Sequence, residues 1–145
     1  MKRALILVDL QNDFFPGGSL AVREGDKVLK AVNALLDLPF DLIIATKDYH
    51  PPLHVSFAST HGKHIGEVIN NNDTPQILWI EHCVQGSKGS DFAPGWDASK
   101  VNRIIYKGTN IGVDSYSTFF DNGHMQETGL DAYLKEQGID TIYIA

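Results

Sequence analysis

Ala4-Leu5-Ile6-Leu7-Val8, closed by Asp9, and Leu42-Ile43-Ile44-Ala45, running on through Thr46-Lys47 to Asp48-Tyr49-His50, decide the fold of this chain. In both runs the apolar residues follow one another without alternation, the pattern of a parallel strand covered on both faces. Between them Val28, Leu29, Val32, Leu35 and Leu36 recur at helical spacing, which predicts a helix over Asp26 to Leu38 with Pro39 placed to stop it. Further on, Arg103 to Tyr106 predicts a third strand ending on Lys107-Gly108. Leu130 to Gln137, entered near Thr128 and left at Gly138, predicts a second helix, and Thr141 to Ala145 begins a fourth strand. Strand, helix and strand in succession predict an α/β fold with parallel strands joined by right-handed crossovers.

A chain of 145 residues fits one domain, 1–145, large enough for a real core. With 43% hydrophobic and 21% charged residues, and no apolar stretch near the roughly 18 residues of a membrane span, it reads as an ordinary globular protein with no membrane partner. The apolar run after Met1-Lys2-Arg3 is too short for a secretory signal, so a cytoplasmic location is expected. The net charge of -6, with Lys and Arg scattered singly, gives no positive footprint for nucleic acid. A single cysteine, Cys83, excludes an internal disulfide and a thiolate zinc knuckle.

The strand ends carry the chemistry, because ligands and reactive groups gather outside the carboxyl ends of strands in open α/β sheets. In extended chain residues i and i+2 point the same way, so Asp48 and His50 can converge on one divalent cation. Between Pro51 and Pro94 periodicity is lost and His, Gly, Asn and Pro accumulate, with Asn70-Asn71-Asn72-Asp73 as the most exposed tip. An excursion longer than about 12–15 residues in a compact domain is usually functional or mobile. It offers His54, His61, His64 and His82 as a third ligand, and a nitrogen and oxygen set without thiolate suits Zn, Mn or Fe(II). Against this stands the reading of Asp-x-His as a common tripeptide followed by solvated loop histidines.

Asp9 is a candidate general base, or else caps the turn that follows it. Lys107 could bring a cation beside Asp9, or be a surface lysine laid along apolar neighbours. Phe14, Phe15, Trp79 and Trp96 would suit the walls of a flat-ring site, or form a lid's own small core. Cys83 follows His82 directly, and adjacent side chains in extended chain face opposite ways, so it is expected to be a buried small hydrophobe. Gly108-Thr109-Asn110-Ile111-Gly112 and Gly86-Ser87-Lys88-Gly89 match neither phosphate-loop pattern and read as turns.

Taken together, Val8-Asp9-Leu10-Gln11-Asn12-Asp13-Phe14, Gly17-Gly18-Ser19-Leu20, Ala45-Thr46-Lys47-Asp48-Tyr49-His50, Trp79-Ile80-Glu81-His82-Cys83-Val84-Gln85-Gly86, Tyr106-Lys107-Gly108 and Val113 to Asn122 resemble the nicotinamidase/pyrazinamidase branch of the isochorismatase-like cysteine hydrolases. The resemblance implies a three-layer α/β/α fold around a mainly parallel, Rossmann-like sheet. It implies hydrolysis of nicotinamide, and of pyrazinamide, in NAD salvage, with a small-molecule substrate, one divalent metal ion (Zn, Fe or Mn) and an oligomeric state left open. By position it makes Asp9 and Lys107 two members of an Asp-Lys-Cys triad, Asp48, His50 and His82 the metal ligands, and Phe14 and Trp79 the flanks of the pyridine ring. His54 matches a position near the metal and ranks below the other three.

In that family the nucleophilic cysteine follows the fourth strand, whereas Cys83 corresponds to the cysteine after the metal histidine, which is not the nucleophile. With Thr141-Ile142-Tyr143-Ile144-Ala145 ending the chain in an apolar strand, the expectation is an N-terminal portion of a longer enzyme. The rival readings are another amide hydrolase of the same fold and a catalytically incomplete metal-binding fragment.

Overall fold

The computed structural model describes residues 1–145. Four strands, β1 (Arg3–Leu7), β2 (Leu42–Asp48), β5 (Arg103–Lys107) and β6 (Thr141–Ile144), form one sheet in the order β5-β2-β1-β6, every neighbouring pair parallel. The chain steps outward from β1 to β2 to β5 and then returns to the far side of β1, so the order reverses beside β1, where α/β folds place their sites.

Side chains alternate across the sheet, and the central strands β1 and β2 are covered on both faces, while β6 at one edge stays largely exposed. Ala4, Ile6, Leu42, Ile44 and Ile105 meet Leu130 and Leu134 of α2 (Leu130–Glu136) on one face. Leu5, Leu7, Ile43 and Ala45 meet Val32 and Leu36 of α1 (Val28–Leu36) on the other. This is why the strands read as unbroken apolar runs. Each fully buried Leu or Ile contributes about 1.5–3 kcal/mol relative to exposure. No helix is long and apolar enough to cross a membrane.

Most element ends fall within a residue of the sequence expectation, and three regions depart further. α1 begins at Val28, after a 3-10 turn over Gly25–Lys27, and ends at Leu36, because the residue before a proline is turned away from helical geometry and Leu38 precedes Pro39. β2 continues past Ala45 to Asp48, since β5 pairs along it as far as Asp48↔Lys107. The 51–94 excursion is ordered. It contains an antiparallel hairpin, β3 (Val68–Asn71) with β4 (Thr74–Ile77), besides several 3-10 turns. Asn72 and Asp73 form its exposed two-residue turn with φ of 51° and 63°, the positive values such hairpins require. Pro75, tolerated on a short isolated ribbon, hid the strand pattern.

Candidate active site and metal centre

Sheet register delivers the first three groups. Asp48 and Lys107 are Cα partners at the ends of β2 and β5, so their side chains leave the sheet together. Lys107 is 6% exposed, and its Nζ lies 2.9 Å from Asp9 Oδ2 and 3.3 Å from Asp48 Oδ1. Burial works against its charge, but the two carboxylates outweigh it and push the lysine up to about 12. It is a buried bridge between two acids, not a surface lysine.

Asp9 leaves β1 in the left-handed region, φ 53°, and its side chain caps no turn. Thr46 holds it twice: the hydroxyl accepts from Asp9 N–H at 3.1 Å and donates to Oδ1 at 2.6 Å. One carboxylate oxygen is thus fixed by Thr46 and the other by Lys107.

The second half of the site is a convergence of acceptors. His50 Nδ1 lies 2.8 Å from Gly108 O, and His82 Nδ1 lies 2.7 Å from Ile80 O. A carbonyl only accepts, so the hydrogen-bond network assigns the proton of each neutral ring to Nδ1 and leaves both Nε2 lone pairs free. Those nitrogens face Asp48 Oδ2 at 3.1 Å and 3.2 Å. Asp48 Oδ1 is buried without a hydrogen-bond partner, Lys107 lying close but off line. Acceptors so arranged need a cation among them, a proton or a metal ion. Burial opposes the Asp48 charge, yet the His50 and His82 contacts and the Lys107 ammonium reverse this and hold the carboxyl well below its usual range. Burial also opposes charge on His50, and Asp48 more than compensates, raising that imidazole. The donor set of one carboxylate and two imidazoles, all buried and mutually within reach, fits a divalent ion.

The sequence matches the isochorismatase domain over residues 3–145. The chain belongs to the isochorismatase family. Within this family it is similar to the nicotinamidase of Acinetobacter baylyi, 46% identical over 142 residues that cover 97% of this chain and 66% of that protein. Among solved structures it superposes on the Acinetobacter baumanii nicotinamidase/pyrazinamidase with a TM-score of 0.95 at 42% identity, covering 99% of this chain and 70% of that one. The Pyrococcus horikoshii pyrazinamidase, solved in complex with zinc, gives a TM-score of 0.75 at 34% identity, covering 100% of this chain and 70% of that one. The chain spans about two thirds of the length of the curated relatives it matches.

This isochorismatase-family site does not gather every sequence candidate. Phe14 stands against His82, ring centroids 5.8 Å apart. Trp79 instead lines a cavity of about 440 Å³ with Ala58, Lys63, Ile65 and Ile80, and its indole N–H points to Tyr116 Oη at 3.4 Å. Phe15 and Trp96 pack against the α1-side core of the main sheet, so they form no separate core of a lid. His54 has both nitrogens engaged, Nδ1 with Ser56 Oγ at 2.7 Å and Nε2 with Val113 O at 3.2 Å, and stacks on His50 with centroids 4.1 Å apart. His61 and His64 are exposed and lie outside the cluster.

Cys83 is fully buried, as expected, though for another reason. Its φ is 48°, so the segment is not extended. Its N–H donates to Asp13 Oδ2 at 2.7 Å and its carbonyl accepts from His50 N–H at 3.0 Å. Burial, followed by the Asp48, Asp13 and Asp9 carboxylates, pushes its thiol far above the ordinary range, the reverse of an activated nucleophile.

Several positioning groups escaped sequence reasoning. Gln11, fully buried, donates from Nε2 to Asp48 O at 2.7 Å and to Ser90 O at 3.0 Å, while its Oε1 accepts from Asp48 N–H at 2.8 Å. The only signal was its place two residues after Asp9. Gly108, φ 64°, is obligatory: a Cβ there would lie 2.5 Å from His50 Cε1. Asp114, in the segment after β5, brings a buried carboxylate oxygen to 4.0 Å from His50 Nε2.

Proposed function

We propose that the protein to which this chain belongs is a nicotinamidase, hydrolysing nicotinamide to nicotinate and ammonia, with pyrazinamide as a second substrate, in NAD salvage. The observation that carries this reading is the bridge Asp9–Lys107–Asp48 abutting His50 and His82, in a chain similar to nicotinamidases across nearly its whole length.

In this reading a cysteine thiol attacks the carboxamide carbon, ammonia leaves, and water hydrolyses the resulting thioester. Asp9 accepts the thiol proton and returns it to the departing nitrogen. Thr46 keeps the carboxylate from rotating away. Lys107 is paired with Asp48 as well as Asp9, so it is not stranded in a buried position when Asp9 takes up the proton. The geometry of Cys83 argues against it as nucleophile, and we assign that role to a cysteine outside these 145 residues. Asp48, His50 and His82 are the proposed ligands of a divalent ion, with zinc the first candidate, which when bound offers a Lewis-acid contact to the pyridine nitrogen and so orients the ring. Phe14 packs against the His82 ring and is placed to restrict how that ring turns.

The test is ammonia release from nicotinamide by the full-length protein, before and after chelation. Turnover that is lost with the metal and restored by Zn2+ supports the reading. Activity on other amides alone, with none on nicotinamide, overturns it.

A further inference from the structure

Asp114 is the one buried acid at this centre that the mechanism above does not use. It is 3% exposed, lies in the segment that follows β5, and no Lys or Arg comes within 4.0 Å of it. Its Oδ1 accepts from Ser115 N–H at 2.8 Å, and Oδ2 has only a long contact of 3.5 Å from Gln76 Nε2. Two imidazoles lie beside it: His50 Nε2 at 4.0 Å from Oδ1, the same nitrogen that faces Asp48 Oδ2, and His54, with a ring nitrogen within 4.8 Å.

The segment is tied down. Asn122 N–H donates to Asp114 O at 2.8 Å, Asn122 Oδ1 accepts from Tyr116 N–H at 3.0 Å, and Ser115 Oγ reaches Ser117 O and Phe120 O at 2.8 Å and 3.0 Å. Lys107 Nζ, in turn, donates to Ser115 O at 3.4 Å. The Asp114 carboxylate is therefore held where it is, with Oδ1 4.0 Å from the His50 nitrogen.

Charge decides what it is there for. The centre holds three carboxylates, Asp9, Asp48 and Asp114, and one buried ammonium, Lys107, which pairs with the first two; with the histidines neutral this leaves two negative charges. An unpaired buried anion is costly, and a buried charge persists only when another offsets it. A monovalent cation leaves the cluster negative; a divalent one neutralises it. At 4.0 Å the carboxylate is too far to hydrogen-bond the His50 nitrogen but close enough to act on a cation bound by it. The alternative of a second ion held by His50, His54 and Asp114 fails, because both His54 nitrogens are already engaged.

We propose that Asp114 is a further carboxylate of the metal centre, a positioning residue outside the ligand set whose charge completes neutralisation by a divalent ion and so sets the affinity of the Asp48, His50 and His82 site. This rests on the metal site of the reading above. Asp114→Asn keeps the shape and the acceptor for Ser115 N–H and removes only the charge.

The experiment is competition of the full-length, metal-stripped protein against a chromophoric chelator for Zn2+ and Mn2+, with thermal unfolding of the metal-free forms alongside. Asp114→Asn should weaken both ions by about 10–100-fold, the range for groups that support metal ligands, while the metal-free variant melts at or above the wild-type temperature. Asp114→Glu, which restores charge, should recover part of the affinity. If wild type binds and Asp114→Asn binds within twofold of it, the proposal is overturned and the metal site stands. If wild type itself binds neither ion, the metal site falls and the proposal with it. A variant whose metal-free form is destabilised with unchanged affinity assigns Asp114 to holding its loop, which also overturns it.

Discussion

The strand ends and the 51–94 excursion both supply this site, and they position side chains by different means. Asp48 and Lys107 are set by register: once β2 pairs with β5, two adjacent residues on neighbouring strands must share a face. His82 arrives from irregular chain and is set by individual bonds, its own Nδ1 to Ile80 O and the next residue's N–H to Asp13 Oδ2. Register is cooperative and tolerates local damage, whereas a bond-by-bond placement fails where one bond fails. Strand-end substitutions should therefore act on charge and chemistry, and excursion substitutions on geometry.

The largest expected effect lies at the strand ends. Lys107→Met leaves Asp9 and Asp48 buried without their cation and should cost about 3–5 kcal/mol, as breaking a buried pair does; urea unfolding at neutral pH measures it, and a loss below about 1 kcal/mol would mean the bridge is solvated. Next comes Asp9→Asn, which keeps shape and removes the proposed base. Turnover of the full-length protein on nicotinamide should fall about 100-fold or more with the melting temperature little changed. Near-normal turnover in a folded variant would return Asp9 to a purely structural role.

On the excursion side, Asp13→Ala strips the acceptor from Cys83 N–H and from Ser19 N–H. An orphaned buried donor costs about 1–3 kcal/mol, and because His82 precedes Cys83, Zn2+ affinity should drop together with stability. A stability loss without any change in metal binding would show that His82 is held independently of Asp13, and the contrast between the two regions would weaken. The smallest effect is a gain: Asp73→Gly at the hairpin tip, φ 63°, should stabilise by up to about 1 kcal/mol and leave metal affinity untouched. A changed affinity would tie the hairpin to the centre.

The same contrast explains what the sequence could be read for. Ala4 to Val8, Leu42 to Ala45 and the helix patterns around Val32 and Leu134 announce the sheet and its two covers, because burial on both faces leaves a compositional mark. Asp9, Asp48 and Lys107 were legible as residues ending those runs. The hairpin was not, since β3 and β4 are four residues each and Pro75 interrupts the second. His82 could not be separated from His54, His61 and His64 by spacing; motif order resolved it. Gln11, Thr46 and Asp114 were silent because their roles depend on long-range bonds between segments that sequence does not align. Cys83 shows the right outcome reached through a wrong geometry: it is buried because its backbone turns inward, not because an extended chain alternates.

Gln11 has one more consequence. The last residue of a strand ordinarily frays, exchanging its amide proton with solvent long before the sheet opens. At Asp48 a side-chain amide closes both backbone groups as a further rung of the ladder would, so the fraying point is moved beyond the proposed metal ligand. The Asp48 amide should exchange as slowly as those of the central strand, and Gln11→Met should return it to the fast class. The boundary between the part of the molecule that breathes and the part that does not is then drawn by one glutamine, on the far side of the chemistry.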